Sequence, residues 1–469
     1  VDNVNAINSG LRNSGFAQSD VAYWAFCDKS KGSCLNTEMP PKATEGSRDL
    51  RTDLTGTNNV QDKGQFLNIH TVGFGSGSIR QILQDTANNA GGEAYAAEDG
   101  HQLKSALTQA FEAAQAESSA ASVALNSGSI SGGSKVFQAR FDSNDWSGQL
   151  LALPIIIDSS TGLPSLGSAS WDAGASNIMP THGSRKVITY EGGLGKYGEE
   201  FTWLNMSTAQ KLLLDNDPTL LDFLRGDQTN ELAGSGTDSF RDRGSLLGDI
   251  VHSAPKFVGP PSSRYPDNWG SGAPENTAPY STFKSDKASR DDLIYVGAND
   301  GMLHAFDADN GVEKFAYIPK TIFKNLKELA STTYAHQYYV DGQSTVVDVF
   351  FASDSAWHTV LVSGLGGGGQ GLFAIDVTNP ADFNSATSAA TKVLWEFTDE
   401  NASDLGYTFG QASIVRLRNG EWAAVFGNGY NNTDGDDHVS TSGNAVIYML
   451  NIETGVVIDY FDTESGTAQ

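Results

Sequence analysis

The residues best suited to chemistry in this sequence lie in an acidic loop near its C-terminal end. Oxygen donors alternate there at Asn432, Asp434 and Asp436, within the run NNTDGDDH. Calcium accepts about six to eight oxygen ligands, and alternating donors are typical of calcium-binding loops. The bidentate acid expected a few residues later is missing, since Val439 to Gly443 supplies hydroxyl groups at most. The loop is therefore a candidate calcium site, with a solvated hairpin tip as the alternative interpretation.

The only two cysteines, Cys27 and Cys34, lie close together in the run WAFCDKSKGSCLN. A turn-rich connection of that length can bring two Cα atoms within the ~4.4 to 6.8 Å that a disulfide needs. No other cysteine and no histidine cluster lies nearby, so a zinc site would lack ligands. The spacing predicts a disulfide, with two free thiols as the alternative. A disulfide indicates an oxidising compartment.

Two further short motifs have both a functional and a structural interpretation. Arg225, Gly226 and Asp227 form an integrin-type tripeptide that would serve adhesion, but at a predicted helix end they also fit a cap and a turn. Gly364 to Gly369 satisfies G-x-G-x-x-G. A dinucleotide fingerprint must open a helix, whereas the following LFAIDV predicts another strand. Nucleotide binding is therefore not expected.

Sequence motifs of the common enzyme classes are missing from this chain. It has no G-x-S-x-G, no H-E-x-x-H, no P-loop and no C-x-x-C, so hydrolase, metalloprotease, nucleotidase and thiol redox activities have no starting point. Four histidines on predicted strands or loops lack the spacing of metal ligands and are interpreted as structural, namely His252, His304, His336 and His358. The sequence predicts a protein that is not an enzyme and has no organic cofactor, leaving calcium as the only cofactor candidate.

The charge balance limits the possible partners. The chain has 30 basic and 56 acidic residues, a formal net charge of −26. Such a charge repels phosphate backbones and anionic lipid surfaces, so nucleic acid is not an expected partner. No apolar run approaches the ~18 residues needed to cross a bilayer, so no membrane span is predicted.

The elements that must position these residues are predicted from a repeated turn. Apolar runs are followed by Asp/Asn-x-x-Thr/Asn-Gly or a close variant at Asp158 to Gly162, Asp307 to Gly311, Asp376 to Pro380 and Asn451 to Gly455. An aromatic residue follows each turn, namely Trp171, Phe315, Trp395 and Tyr460. We expect each ring to lie between neighbouring sheets. Radial four-stranded sheets would bury such repeats, which favours a β-propeller with insertions between its blades.

The domain organisation changes along the chain. Residues 1–117 alternate predicted strands and helices, as in an α/β domain. Residues 118–134 are small and polar, as in a linker, although Val123 and Leu125 could pair with a strand. Residues 135–469 are predicted to form the propeller blades, with a helical insertion at about 195–248. Within that insertion, 208–214 and 218–225 have the pattern of short helices. The fold is therefore multidomain and mainly β, with a partial α/β domain ahead of an incomplete propeller.

The predicted α/β region resembles the C-terminal part of a von Willebrand factor A domain. The resemblance rests on a strand ending in Gly73-Phe74-Gly75 and on the following LQDTANNAGGEAYAAEDGHQLKSAL. Such domains hold a divalent metal through an Asp-x-Ser-x-Ser loop after their first strand. That loop is missing here, so the resemblance assigns no metal site to this chain. We expect Val1 to lie well inside the domain, with the first strand either upstream of this chain or lost from it.

A second resemblance covers nearly the whole chain. The strings FDSNDWSGQLLA, FLRGD, FRDRGSLLGDIVHSAPKFVG, YVGANDGMLHAFDADNG, GLGGGGQGLFAIDVTNP, LGYTFGQASIVRL and AVFGNGYNN occur in this order. In that order they resemble the PilY family of type IV pilus biogenesis proteins and tip adhesins. The resemblance implies a modified quinoprotein-like propeller in which calcium sites of other members fall beyond this chain.

The same resemblance implies the function. We expect a non-enzymatic, extracellular protein at the pilus tip, with minor pilins as partners and a host or abiotic surface as the target of adhesion. A quinone-dependent dehydrogenase is an alternative, because its propeller shares the turn followed by an aromatic residue. A scaffold for envelope assembly in the periplasm, without a pilus, is a third interpretation.

Overall fold

A computed structural model describes residues 71–74, 94–97, 122–126, 134–160, 162–191, 198–234, 236, 239–433 and 438–466. The chain divides into two units, Val1–Ser118 and Ser119–Gln469. In the first unit, β1 (Thr71–Phe74) and β2 (Ala94–Ala97) pair in parallel. Cys27 and Cys34 lie outside the described residues. Their disulfide and the von Willebrand A-like identity of this unit stay predictions.

The second unit begins with a small antiparallel sheet. Its strands are β3 (Ser122–Leu125), β4 (Lys135–Asp142), β5 (Ser147–Ile157), β6 (Pro164–Leu166) and β7 (Trp171–Asp172). Strands β3 to β6 are neighbours in sequence order, and β7 pairs with β5. Because Val123 pairs with Gln138 of β4, part of the stretch predicted as a linker is a strand of this first sheet.

The second sheet has six strands instead of the predicted four. They are β8 (Val187–Tyr190), β9 (Gly198–Glu200), β10 (Lys256–Val258), β11 (Leu293–Ala298), β12 (Met302–Asp307) and β13 (Glu313–Ile318). Strands β10 to β13 form an antiparallel four-stranded meander. Its outer strand β13 pairs in parallel with β8, with Ala316 opposite Val187, so the β8–β9 hairpin extends the sheet.

The helical insertion follows β9. It contains α1 (Thr208–Leu213) and α2 (Pro218–Leu224), at the positions predicted from the sequence. Ser207 and Gln210 form a capping box at the start of α1, an arrangement that satisfies two otherwise unpaired amides. A later run of 3₁₀ turns, Lys320–Ala330, packs against both helices. The apolar side chains of these elements join the core of the second sheet.

The third and fourth sheets are four-stranded and antiparallel. The third contains β14 (Ser344–Phe351), β15 (Ala356–Gly364), β16 (Gly371–Asp376) and β17 (Val393–Thr398). The fourth contains β18 (Ser413–Arg416), β19 (Trp422–Gly427), β20 (Asn444–Asn451) and β21 (Val457–Gly466). Two short helices, α3 (Tyr280–Asp286) and α4 (Ala386–Ala390), lie in loops. The glycine run after β15 forms one 3₁₀ turn, Gly366–Gly368, and leads into β16, which confirms the strand predicted for LFAIDV.

The repeated turns occupy equivalent positions. Asp307, Asp376 and Asn451 each end the third strand of a four-stranded meander, which confirms the predicted equivalence. A register shift occurs at the same place in all three meanders, and it sets Ala305 opposite Phe315, Ala374 opposite Trp395 and Met449 opposite Asp459. The prediction that Tyr460 is the fourth equivalent ring was therefore wrong, because Asp459 occupies that position.

Two tryptophans dock onto the turn of the next sheet. The indole Nε1 of Trp171 donates to the carbonyl of Ala308 over 3.2 Å, and that of Trp395 donates to the carbonyl of Ile452 over 2.9 Å. Gly311 and Gly455, in these turns, have φ of +77° and +69°. A Cβ at either position would lie 2.6 Å from the facing indole, so glycine is required for this close approach as well as for its backbone conformation.

Candidate functional site

Three short crossing segments, 247–249, 339–342 and 405–408, connect successive sheets. Each precedes the first strand of a four-stranded meander. Each hydrogen-bonds to the turn between the second and third strands of that meander and to the same turn of the sheet before it. The first segment is held by the amide of Gly148, which donates to the carbonyl of Leu247 over 2.8 Å, and by that of Asn299, which donates to the carbonyl of Asp249 over 2.9 Å. The crossing segments thus tie each sheet to the one before it.

The other two segments repeat this arrangement. The amide of Tyr339 donates to Asn299 Oδ1 over 2.9 Å, and that of Asp341 donates to the carbonyl of Leu365 over 3.2 Å. In the last segment, Thr408 Oγ1 accepts from the amide of Leu365 over 2.9 Å. The amide of Gly406 donates to the carbonyl of Asn428 over 2.7 Å. We take the polar contacts of the three crossing segments as the candidate functional site. The same contacts connect each sheet to the next.

A buried carboxylate organises the first crossing. Asp249 is 1% exposed, and its Oδ2 lies 2.7 Å from Asn299 Nδ2 and 2.8 Å from His336 Nε2. The ring of His336 stacks on Trp146 of the first sheet, with centroids 3.7 Å apart. Trp146 has a φ of +56°, which is uncommon for a bulky residue. The stacking and the carboxylate together fix His336 between the first and second sheets.

A second histidine–carboxylate pair lies at the next crossing. His252 Nδ1 is 2.5 Å from Asp341 Oδ2, and the amide of His252 donates to Asp341 Oδ1 over 2.9 Å. Burial raises the pKa of Asp341, whose side chain is 1% exposed, whereas the His252 side chain is 54% exposed. His252 therefore presents its ring to solvent from a buried support.

A buried charge network lies behind these crossings. Arg185 Nη2 and Glu313 Oε1 are 2.7 Å apart, and His304 joins Glu313 through Nδ1 at 2.8 Å and Asp300 through Nε2 at 3.0 Å. Asp300 in turn accepts from the amide of Gly248 over 3.0 Å. The network connects the loop ahead of β8 with the second sheet and the first crossing segment.

The pairing in this network sets its ionisation. Burial by itself lowers the pKa of His304, but the carboxylates of Asp300 and Glu313 outweigh it and raise that pKa to about 9. Burial raises the pKa of Glu313, and Arg185 and His304 outweigh it and bring that pKa to about 2. At neutral pH the network therefore consists of compensated buried charges, and removing one partner leaves another uncompensated.

A small cavity adjoins the network. It has a volume of about 20 Å³ and is lined by residues that include Asp145, Trp146, Arg241, Arg243 and Asp300. A space of this size holds about one water molecule. The arrangement suits a hydrated structural junction.

The four histidines interpreted as structural each lie beside a carboxylate. For His358, Nδ1 is 2.9 Å from Asp376 Oδ2 and Nε2 is 3.0 Å from Asp354 Oδ2. Within the described ranges, no group of three or more His, Cys, Asp or Glu side chains could hold a metal ion. Sequence reasoning missed Arg185 and Glu313, which no local motif distinguishes.

The integrin-type tripeptide has a structural role in this fold. Arg225 is 9% exposed, and its guanidinium donates to the carbonyls of Phe201, Arg185 and His182. Asp227 Oδ1 accepts from the amide of Thr229 over 3.0 Å, and Gly226 has a φ of +109°. Adhesion through this tripeptide stays a prediction, and the buried guanidinium gives it no support.

The candidate calcium loop is only partly described. Asn432 is 8% exposed, and its Nδ2 donates to the carbonyls of Asp404 and Asn444 over 3.2 and 3.3 Å. The side-chain amide of Asn432 therefore links the backbone at Asp404 to the backbone at Asn444. Asp434 and Asp436 lie outside the described residues, so calcium binding stays a prediction.

No helix in the described residues is long and apolar enough to cross a bilayer.

The successive antiparallel sheets, docked rings and crossing segments define a mainly β, propeller-like protein. A family model described as "PilY1 beta-propeller domain" matches residues 247–468. This match, together with curated relatives that are 37% and 32% identical over 70% and 98% of the chain, shows that the chain belongs to the PilY family of type IV pilus proteins.

Individual relatives extend this comparison. The chain is 37% identical over 346 residues to the type IV pilus biogenesis factor PilY1 of Pseudomonas aeruginosa strain UCBPP-PA14, covering 70% of this chain and 27% of that protein. It is 32% identical over 503 residues to a PilY1 homolog of Xylella fastidiosa strain Temecula1, covering 98% of this chain and 32% of that protein. The chain thus spans a third or less of these relatives' length.

A solved structure is also similar. The crystal structure of the Pseudomonas aeruginosa PilY1 C-terminal domain shares 38% sequence identity, with 45% of this chain and 38% of that chain covered and a TM-score of 0.35.

Proposed function

We propose that this protein acts, without enzymatic activity, as a type IV pilus biogenesis factor and adhesin at the pilus tip. One observation carries the proposal: 98% of the chain aligns with a relative named a type IV pilus biogenesis factor PilY1 homolog. A propeller-like set of sheets with long loops also suits a protein that displays partner-binding surfaces. Its location is extracellular, at the cell surface.

The helical insertion is the surface that we assign to minor pilins. Leu204, Leu212 and Leu213 are 89%, 66% and 41% exposed. In the same insertion, Leu214 and four side chains of α2 are buried, namely Leu220, Leu221, Phe223 and Leu224, so the exposed leucines belong to an element with a packed core. Exposed apolar groups on a supported element are typical of interaction surfaces.

Adhesion is assigned to the N-terminal unit or to the acidic loops.

The test is deletion of the encoding gene, followed by complementation with the full-length protein. We expect deletion to reduce the number of surface pili and of attached cells, and wild-type protein to restore both. Leu204→Glu with Leu212→Glu should fail to restore piliation and should co-purify with fewer minor pilins. Leu166→Glu is a matched control, because Leu166 is 57% exposed on the first sheet.

Two outcomes would contradict the proposal. Unchanged piliation and attachment after deletion would remove the pilus function, and loss of a quinone-linked oxidation instead would favour the dehydrogenase. If the double variant restores piliation and retains the pilins, the pilus function stands and the insertion is not their docking surface.

A further inference from the structure

Glu396 connects the second and third sheets. It lies on β17, the outer strand of the third sheet, and its Oε1 accepts a hydrogen bond from the hydroxyl of Tyr317 on β13. The same oxygen accepts from the amide of Lys320 over 2.9 Å. One carboxyl oxygen therefore receives two donors from the neighbouring sheet and the segment that follows it.

The amide of Lys320 belongs to the first residue of the 3₁₀ run Lys320–Ala330. Pro319, at its N-cap position, provides no side-chain cap. Glu396 supplies that missing cap from another sheet. The run buries Phe323 against Phe201 of the insertion, with ring centroids 5.8 Å apart. The contact at Glu396 thus supports the element on which the helical insertion packs.

The second oxygen of Glu396 lacks such support. Its Oε2 is buried and has no hydrogen-bond partner. A buried, unsatisfied carboxylate oxygen opposes ionisation, because the charge loses its hydration without compensation.

The charged and titratable groups around Glu396 do not offset this loss. They are Tyr317, Tyr190, Lys320 and Glu400. The ammonium of Lys320 lies 3.6 Å from Glu400 Oε2 and is shared with that exposed acid. Burial raises the pKa of Glu396 to about 7, and the hydrogen bonds from Tyr317 and Lys320 only partly oppose it.

We propose that Glu396 forms a proton-dependent joint between the second and third sheets, closed when its carboxyl is protonated and weakened when it ionises. Because the pKa is higher in the closed joint than in an open, solvated one, the stabilisation is complete below the ordinary glutamate pKa. It is lost as the pH rises through about 7. The joint makes the attachment of the 3₁₀ run and the insertion sensitive to pH near neutrality.

The test is hydrogen exchange of the amides in Lys320–Ala330 between pH 5 and pH 8. Exchange in α3 of the same sample corrects for base catalysis. In the wild-type protein, we expect the opening constant to rise about tenfold or more over this range relative to Glu396→Gln, which cannot ionise. Glu400→Gln is the matched control and should retain most of the wild-type pH dependence.

A constant ratio of wild-type to Glu396→Gln opening across this range would overturn the proposal. If Glu396→Gln folds poorly, Tyr317→Phe provides the second test. It removes a donor that favours the ionised form, so the midpoint of the transition should move to higher pH. A midpoint that stays in place would also contradict the joint.

Discussion

Two junctions between neighbouring sheets use equivalent positions but different side-chain contacts. One joins the third and fourth sheets, and the other joins the second and third. In the first of these, Trp395 lies against Gly455 and donates to a backbone carbonyl. In the second, Phe315 occupies the equivalent position and stacks on Phe383, with ring centroids 4.0 Å apart. The turn there ends in Pro380 instead of glycine.

The contrast shows that these two junctions share a position for an aromatic ring, which different side chains can fill. The indole N–H needs a carbonyl acceptor, and the indole ring needs a glycine without a Cβ beside it. A phenyl ring has no donor and needs only an apolar partner. The phenylalanine junction also contains the joint at Glu396, and the second sheet contains the buried charge network. We therefore expect the tryptophan junction to be insensitive to pH and the second sheet and its junction to depend on pH.

The largest expected effect comes from breaking the tryptophan junction. Trp395→Ala removes a side chain that is 3% exposed, together with its hydrogen bond to Ile452. Truncation of a buried aromatic ring costs about 3–5 kcal/mol in the free energy of unfolding. Chemical denaturation should show this loss equally at pH 6 and pH 8. Val415→Ala, at a residue 38% exposed on the fourth sheet, is the control and should cost much less.

A smaller effect is expected from the charge network as the pH rises. The pKa of His304 is raised to about 9. The stabilisation that protonated His304 gives to the folded protein is therefore complete below the ordinary histidine pKa and is lost as the pH rises through about 9. This rise in the pKa of His304 corresponds to about 3 kcal/mol. The free energy of unfolding should favour the wild type over His304→Gln at pH 6, and this advantage should shrink by pH 10. An advantage of constant size would show that His304 does not titrate as described.

The sequence predicted the repeating part of the fold because its signals are local. Asp307, Asp376 and Asn451 end apolar runs, and a turn after a strand is recognisable within about ten residues. The two helices of the insertion also have local signals, a capping box at Ser207 and a proline at the first position of α2. These elements lie where they were predicted.

The parts that could not be predicted depend on pairing between distant residues. No local pattern indicates that β8 pairs with β13, since Val187 and Ala316 are far apart in sequence. The choice of Tyr460 failed because a register shift between Met449 and Leu450 places Asp459 in the ring position. The partners of the histidines are equally distant, and His336 finds Asp249 only once the crossing segment is in place.

The smallest expected effect comes from making the two junctions alike. Phe315→Trp puts an indole where Phe383 already fills the space, and both side chains are 0% exposed. Adding atoms to a packed core costs about 1–3 kcal/mol through shifted side chains. The variant should therefore be less stable than the wild type in chemical denaturation. Combining it with Phe383→Ala should recover part of the loss relative to Phe383→Ala alone, because the removed ring leaves room for the indole. If Phe315→Trp alone raises stability, the two junctions accept the same ring and the contrast between them is not structural.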